Sequence, residues 1–407
     1  MRAAVVGGGV AGLAAAIDLV AAGVEVTVHE ARPTLGGAVQ TLPARDGDPE
    51  PPPDNGQHIA LGCFTEYLAF LDRIGERESY VRRRLALPVI DEAGRSASIR
   101  PSVTGLLTYA HLSVRDRARL LLTLTRLRSV QSRPNESFGG LLRRLGEGDV
   151  SIERFWDVFI RPALNLPADE VDAGAGLFTV RTALLGPRRN SDLVLPLRPL
   201  GWMHGDAAGR VLGDRVHVNE RVESLADLDA DAIVLAVPPR ESARLLGEAE
   251  SALEDSPIVS VHLWFDRALL QTPLAALLGS DAHWVFDRGA LTGHAPDRGQ
   301  YLTVVSSGVP DLLEIRGQAL VDRVAGQLRE RLGPAELLWS RVSREPYATV
   351  ALRPGVERPG VATGDPRVAR AGAWTDTGWP ATMESAVRSG RAAAQHVLSV
   401  VSARVPA

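Results

Sequence analysis

Apolar and polar positions along the chain follow a sequence of distinct periods. Residues 3–6 form a short apolar run, and residues 13–22 follow as an alanine-rich stretch of high helix propensity. Gly23 ends that stretch, and residues 24–28 alternate apolar with polar positions, the period of a strand, up to Glu30. A β-α-β unit is therefore predicted at the amino terminus. Residues 42–53, with Glu50-Pro51-Pro52-Pro53, are too rich in Pro, Asp and Gly for regular structure and read as an exposed loop. From about 81 to 200 the pattern is mostly helical. Ser113-Val114-Arg115-Asp116 has capping-box spacing ahead of Leu120-Leu121-Leu122 and predicts a helix over 113–130. Residues 155–166 read as an aromatic helix that packs in the core. Strand patterns return at 216–218, around Val222, and at 232–237, where Pro238 and Pro239 close a buried run. They continue at 259–265, 283–286 and 301–305, which predict a second sheet.

The junction of the first strand and helix carries chemistry. Gly7-x-Gly9-x-x-Gly12 stands there, and each glycine has a task in a dinucleotide turn. The first permits the tight backbone, the second lets a pyrophosphate approach the helix N-terminus, and the third lets helix pack on strand. Glu30 lies 18 positions past the last glycine, close to the spacing of a ribose-binding acid, and an acid there favours FAD or NAD over NADP. Glu30-Ala31-Arg32-Pro33-Thr34-Leu35-Gly36-Gly37 then resembles the extension of the glutathione-reductase-like FAD folds. That resemblance implies phosphate contacts at Arg32, Gly36 and Gly37. One departure is Ala38, where the amine-oxidase superfamily commonly has arginine.

Composition narrows the chemistry further. The chain has 407 residues, and all 45 of its cationic Lys/Arg positions are arginine. Without lysine there is no internal Schiff base, no P-loop lysine and no lysine general base. A net charge of −4 gives no general attraction to nucleic acid. The single cysteine, Cys63, reads as a small core residue, and its lack of a partner fits a reducing cytoplasm. No signal peptide and no run long enough to span a membrane are visible. The length and the returning strand pattern imply an α/β chain in which a Rossmann fold is interrupted by an α+β substrate-binding insertion. Residues 1–80, 205–255 and 360–407 are assigned to the FAD-binding domain, and 81–204 and 256–359 to the substrate-binding domain.

Near the carboxyl terminus, Ala371-Gly372-Ala373-Trp374-Thr375-Asp376-Thr377-Gly378-Trp379-Pro380-Ala381-Thr382-Met383-Glu384 leads into an Ala-rich helix. With Asp54-Asn55-Gly56-Gln57-His58 and Trp284-Val285-Phe286-Asp287-Arg288, it resembles the hydroxysqualene dehydroxylases, FAD-dependent relatives of phytoene desaturases and amine oxidases. The resemblance spans nearly the whole chain. It implies FAD as cofactor, with Gly7, Gly9 and Gly12 at the pyrophosphate, Glu30 at the ribose and the Val222 backbone at adenine. It places Gly372, Trp374 and Met383 along the ribityl chain and flavin ring. Ala373 is a second departure, where many relatives have aspartate, and Asp376 is the residue that could take over that contact. The reaction implied is loss of the hydroxyl of an apolar triterpene alcohol with hydride from reduced flavin. His58, Gln57 and Asp54 are the candidate catalytic residues, with support of their own loop as the competing role. A related polyene desaturase is the alternative. An amine oxidase fits less well, because those relatives commonly hold a water with lysine, and a lipid-binding relative without activity is a further reading. So apolar a substrate implies a cytoplasmic protein in peripheral contact with the membrane. The 113–130 helix, with Arg115, Arg119 and Arg126, is the candidate surface, and a solvated internal helix is its plainer reading. No motif names an electron donor.

Overall fold

A computed structural model of the protein describes residues 1–402. Strand β1 (Arg2–Val6), helix α1 (Val10–Ala21) and strand β2 (Glu25–Glu30) form the amino-terminal unit. Next come β3 (Ala60–Leu61), helix α2 (Thr65–Arg73), β4 (Tyr80–Arg83), β5 (Leu87–Ile90) and β6 (Ser96–Ile99). A helical region follows, beginning with α3 (Val103–Leu107) and α4 (Val114–Arg126) and ending before β7 (Leu193–Pro196). The remaining strands are β8 (Val216–Val218), β9 (Ala232–Leu235), β10 (Asp255–Phe265), β11 (Leu274–Leu277) and β12 (Trp284–Asp287). Last are β13 (Gln300–Ser307), β14 (Leu337–Val350) and β15 (Val368–Arg370).

Five of these strands make a parallel sheet in the order β15-β9-β1-β2-β8. The chain proceeds from β1 to β2 and β8 on one side and reaches β9 and β15 on the other, so the order reverses beside β1. In doubly wound sheets a ligand lies in the crevice at the carboxyl ends of the strands that flank such a reversal. Two Ala-rich helices cover one face, α1 and the carboxyl-terminal helix Met383–Ser402. They lie so close that a side chain at Gly390 would run into the Ala11 carbonyl.

The second sheet has seven strands, β14-β10-β13-β12-β11-β5-β6, antiparallel except for the β11–β5 pair. Its strand β10 has two characters. Val259, Val261 and Leu263 are fully buried against the helix Gln318–Leu332, whereas the alternate positions Ser260 and His262 point to the other face, also buried. The first sheet thus draws on residues 2–30, 216–235 and 368–370, and the second on 87–99 and 255–350. A small sheet, β3-β7-β4, ties the two regions together.

Three expectations change. The region 81–200 contains β4 to β7, four short strands whose edges and partners come from distant segments, so no local period announces them. Val222 is in irregular chain after β8, not in a strand, although it is buried. The 42–53 loop is exposed over residues 43–47 and at Glu50 but not along its whole length; its ends are bridged by Thr41 and Asp54, and Asp48 is folded in to pair with buried Arg341.

Candidate active site

The dinucleotide turn is built as its glycines require. Gly7 has a φ of +107°, and a side chain there would strike the Ala236 carbonyl just past β9; one at Gly12 would strike the Gly7 carbonyl. Gly9 bridges to Gly36, whose N–H donates to the Gly8 carbonyl at 2.8 Å. A Cβ on Gly37, whose φ is +63°, would come within 2.8 Å of the Gly9 Cα. Gly7, Gly9, Gly12, Gly36 and Gly37 therefore form one bare backbone cradle at the mouth of α1. The N-cap Gly9 offers no side chain to the first turn of α1, which leaves N–H groups and the helix dipole for an anion.

Glu30, at the end of β2 and 8% exposed, accepts hydrogen bonds from Gly8 N–H at 2.7 Å and Arg32 N–H at 2.8 Å. Its carboxylate is thus fixed beside the cradle. The Arg32 guanidinium is exposed and, among the described residues, makes no side-chain hydrogen bond or close ion pair, although its charge reaches Glu345. Ala38 contributes only its carbonyl, which accepts from Asn55 at 2.8 Å. Val222 lines a groove of about 500 Å³ on the outer face of β1 and β2, together with Thr27 and His29. These donors, the bare backbone and the fixed acid fit a flavin adenine dinucleotide.

The carboxyl-terminal segment meets the same crevice from β15. The Gly372 N–H donates to Ser389 at 2.9 Å, and the Trp374 indole lies over Gly372, its Nε1–H donating to the Val237 carbonyl at 3.1 Å. Met383 opens the carboxyl-terminal helix. Asp376 is exposed and faces Arg358 at 3.6 Å. Trp379 stands edge-on to Phe64 and Phe178, with ring centroids 6.0 and 5.0 Å away.

The three candidate catalytic residues stand on one loop between the two sheets. Asp54, 1% exposed, accepts from Thr41 Oγ1 and Leu200 N–H, both at 2.8 Å, and its other oxygen lies 3.0 Å from the Arg288 guanidinium. Burial pushes the Asp54 carboxyl above its ordinary range, and Arg288 and these hydrogen bonds offset that only in part. Gln57 accepts from Arg288 Nη1 at 2.9 Å. His58 has a buried Nδ1 without a hydrogen-bond partner, and burial brings its ring down to about 4. A neutral imidazole at pH 7 serves better as a hydrogen-bonding group than as a store of a proton.

Around this loop stand residues that sequence reasoning missed. Arg288 is 3% exposed and follows β12. His262 is 1% exposed, touches Thr303 Oγ1 at 3.0 Å and is brought down to about 3, first by burial and then by Arg288 and Arg341. Ser260 presses on Gly56, where a Cβ would meet its hydroxyl at 2.8 Å. Polar residues at alternate positions of an otherwise apolar strand were the available signal for Ser260 and His262. Behind the loop, Tyr67 hydroxyl meets His204 Nε2 at 2.7 Å, and His204 Nδ1 meets the Leu200 carbonyl at 2.7 Å. That geometry assigns the proton to Nδ1 and makes Tyr67 the donor. Burial pushes Cys63 up to about 11, as suits a core thiol and not a nucleophile.

Comparison with known proteins agrees with this architecture. The hydroxysqualene dehydroxylase of Rhodopseudomonas palustris is 29% identical, the alignment covering 97% of this chain and 98% of that protein. The zeta-carotene desaturase of Synechocystis sp. is 23% identical over 98% of this chain and 97% of its own. Among solved structures, an oxidoreductase from Methanosarcina mazei superposes with a TM-score of 0.74 at 19% identity, covering 99% of this chain and all of that one. Cyclohexylamine oxidase from Brevibacterium oxydans gives 0.73 at 17% identity, over 98% of this chain and 99% of its own. The flavin containing amine oxidoreductase family matches residues 10–398. With the glycine cradle, the fixed Glu30 and this match over nearly the whole chain, the protein is an FAD-dependent oxidoreductase that belongs to the flavin containing amine oxidoreductase family.

Proposed function

We propose that the protein removes the hydroxyl of hydroxysqualene reductively, giving squalene and water. The observation that carries this reading is the near full-length similarity to hydroxysqualene dehydroxylases, at 29%, 28% and 23% identity. Reduced FAD, when bound, supplies the hydride that takes the place of the C–O bond, and one proton from the medium completes the water that leaves. The chain's own part is to receive the departing oxygen and exclude water from the allylic cation. Gln57 is suited to the first task and the closed contact of the 54–58 loop with β10 to the second. The same similarity supports an apolar triterpene partner and peripheral contact with the membrane that holds it.

The relation to zeta-carotene desaturases favours a second reading, oxidation of a polyene isoprenoid by the same flavin. Anaerobic incubation of the reduced holoenzyme with hydroxysqualene separates the two. Squalene in the product, seen by mass spectrometry together with flavin reoxidation, is the expected result. Turnover of zeta-carotene with no squalene from hydroxysqualene would replace the first reading by the second.

A further inference from the structure

The contact between Arg288 and Gln57 fixes more than a loop. A guanidinium has donors only, so the atom of the Gln57 carboxamide 2.9 Å from Arg288 Nη1 must be the oxygen. The amide is thereby oriented by chemistry, and its NH₂ is what remains to be used. Among the described residues its one acceptor is the His58 carbonyl at 3.5 Å, at the far edge of hydrogen-bonding reach. The second nitrogen of Arg288 lies 3.0 Å from Asp54 Oδ2, so the guanidinium is held between Gln57 and Asp54. Ser260 Oγ and His262 Nε2, from the strand that faces this loop, are buried and unpartnered. Buried polar atoms are rarely left unmatched, and the Gln57 NH₂ with Ser260 Oγ beside it suits the reception of a polar group from outside the chain.

We propose that Arg288 is the positioning residue that makes Gln57 a hydrogen-bond donor to the hydroxyl oxygen of an apolar alcohol. Asp54, held by Thr41 and Leu200, anchors Arg288 from the opposite side. A planar fork reaches both partners at once, which a guanidinium supplies. The inference rests on the reading of the substrate as a triterpene alcohol, and it adds the means by which that alcohol is told from the hydrocarbon it becomes.

The test compares binding of hydroxysqualene and squalene to the oxidised holoenzyme, followed by perturbation of the flavin absorption band. The unmodified protein is expected to prefer the alcohol, and Arg288→Met and Gln57→Leu to lose about tenfold of that preference, the worth of one hydrogen bond. Arg288→Met leaves Asp54 buried without its partner and is expected to lower the melting temperature. The double variant Arg288→Met/Asp54→Asn removes both charges and keeps an acceptor for Thr41 and Leu200. It is expected to regain stability and FAD content while the preference stays lost. Recovery of the preference in the double variant would reduce Arg288 to a counter-ion of Asp54 and overturn the proposal. So would an unmodified protein that binds alcohol and hydrocarbon alike. Loss of the preference in the variants, in a protein that forms no squalene when reduced, would end the reading of the reaction and leave the role of Arg288 standing.

Discussion

Glu30 shows how one side chain serves two structures at once. Its two oxygens accept from Gly8 and Arg32, so the carboxylate closes the dinucleotide turn on the strand that follows it. The same acid is the one proposed to meet the ribose of FAD. Glu30→Ala should therefore loosen both the turn and the cofactor. Each hydrogen bond to a charged group contributes about 1.5–3 kcal/mol, and FAD is expected to bind on the order of 10- to 100-fold more weakly, measured by titration of the apoprotein. Unchanged affinity would separate Glu30 from the cofactor. Gly7, Gly9, Gly12 and Glu30 were legible because their roles depend on spacing within one short stretch of chain. Arg288 stood out only as the end of the Trp284–Arg288 segment and received no role, since its reach to Asp54 and Gln57, 234 and 231 positions away, is set by the fold.

At the scale of elements, local signals held where an element supplies its own ends. Ser113 caps α4 by accepting from the Asp116 N–H at 3.2 Å, and its hydroxyl donates to the Asp116 carboxylate at 2.6 Å. Helix α2 has no such cap of its own. Its first N–H groups donate to Glu384, which is fully buried at the start of the carboxyl-terminal helix. An element finished by a residue so remote cannot be bounded by reading along the chain. The α3–α4 pair also gives the membrane proposal a physical form. Val103, Leu107, Val114 and Leu122 are 63%, 45%, 77% and 48% exposed, and Arg117 ties the two helices by donating to the Leu107 and Leu112 carbonyls. Arg115 is exposed without a partner among the described residues, Arg119 has only a distant contact with Asp116 at 3.9 Å, and Arg126 donates to the Leu145 carbonyl. Apolar side chains beside arginine are the composition of an interfacial helix. Replacing Val114 and Leu122 by serine and Arg115 and Arg119 by glutamate should abolish co-sedimentation with anionic liposomes and leave the melting temperature unchanged. Undiminished co-sedimentation would exclude this face.

The molecule as a whole carries a pH dependence that no single element would show. Burial lowers His58 and His204 to about 4 and His262 and His283 to about 3. In the unfolded chain these rings take up protons near 6.5, while in the folded protein they stay neutral. Protons then bind preferentially to the unfolded state as the pH falls, so stability is complete above about 6.5 and declines toward 4. The raised carboxyl of Asp54 acts in the opposite direction but titrates from a lower starting value. The melting temperature is expected to be level from pH 8 to 7 and to fall steeply below 6.5, with a shallower slope in His262→Asn; a level profile down to pH 5 would contradict the burial of these rings. Among the described residues no helix is long and apolar enough to cross a membrane. Local pattern was enough for the dinucleotide turn, the parallel βαβ start, three strands of the second sheet and the kinship with flavin enzymes, because each depends on a short-range period or on spacing within a few tens of residues. Tertiary structure alone decided which polar side chains are buried together between the two sheets. That outcome follows from a chain that leaves the first sheet and returns to it twice, bringing Asp54 and Gln57 against Arg288 and His262, and only burial in that company sets their charge and their hydrogen-bonding sense.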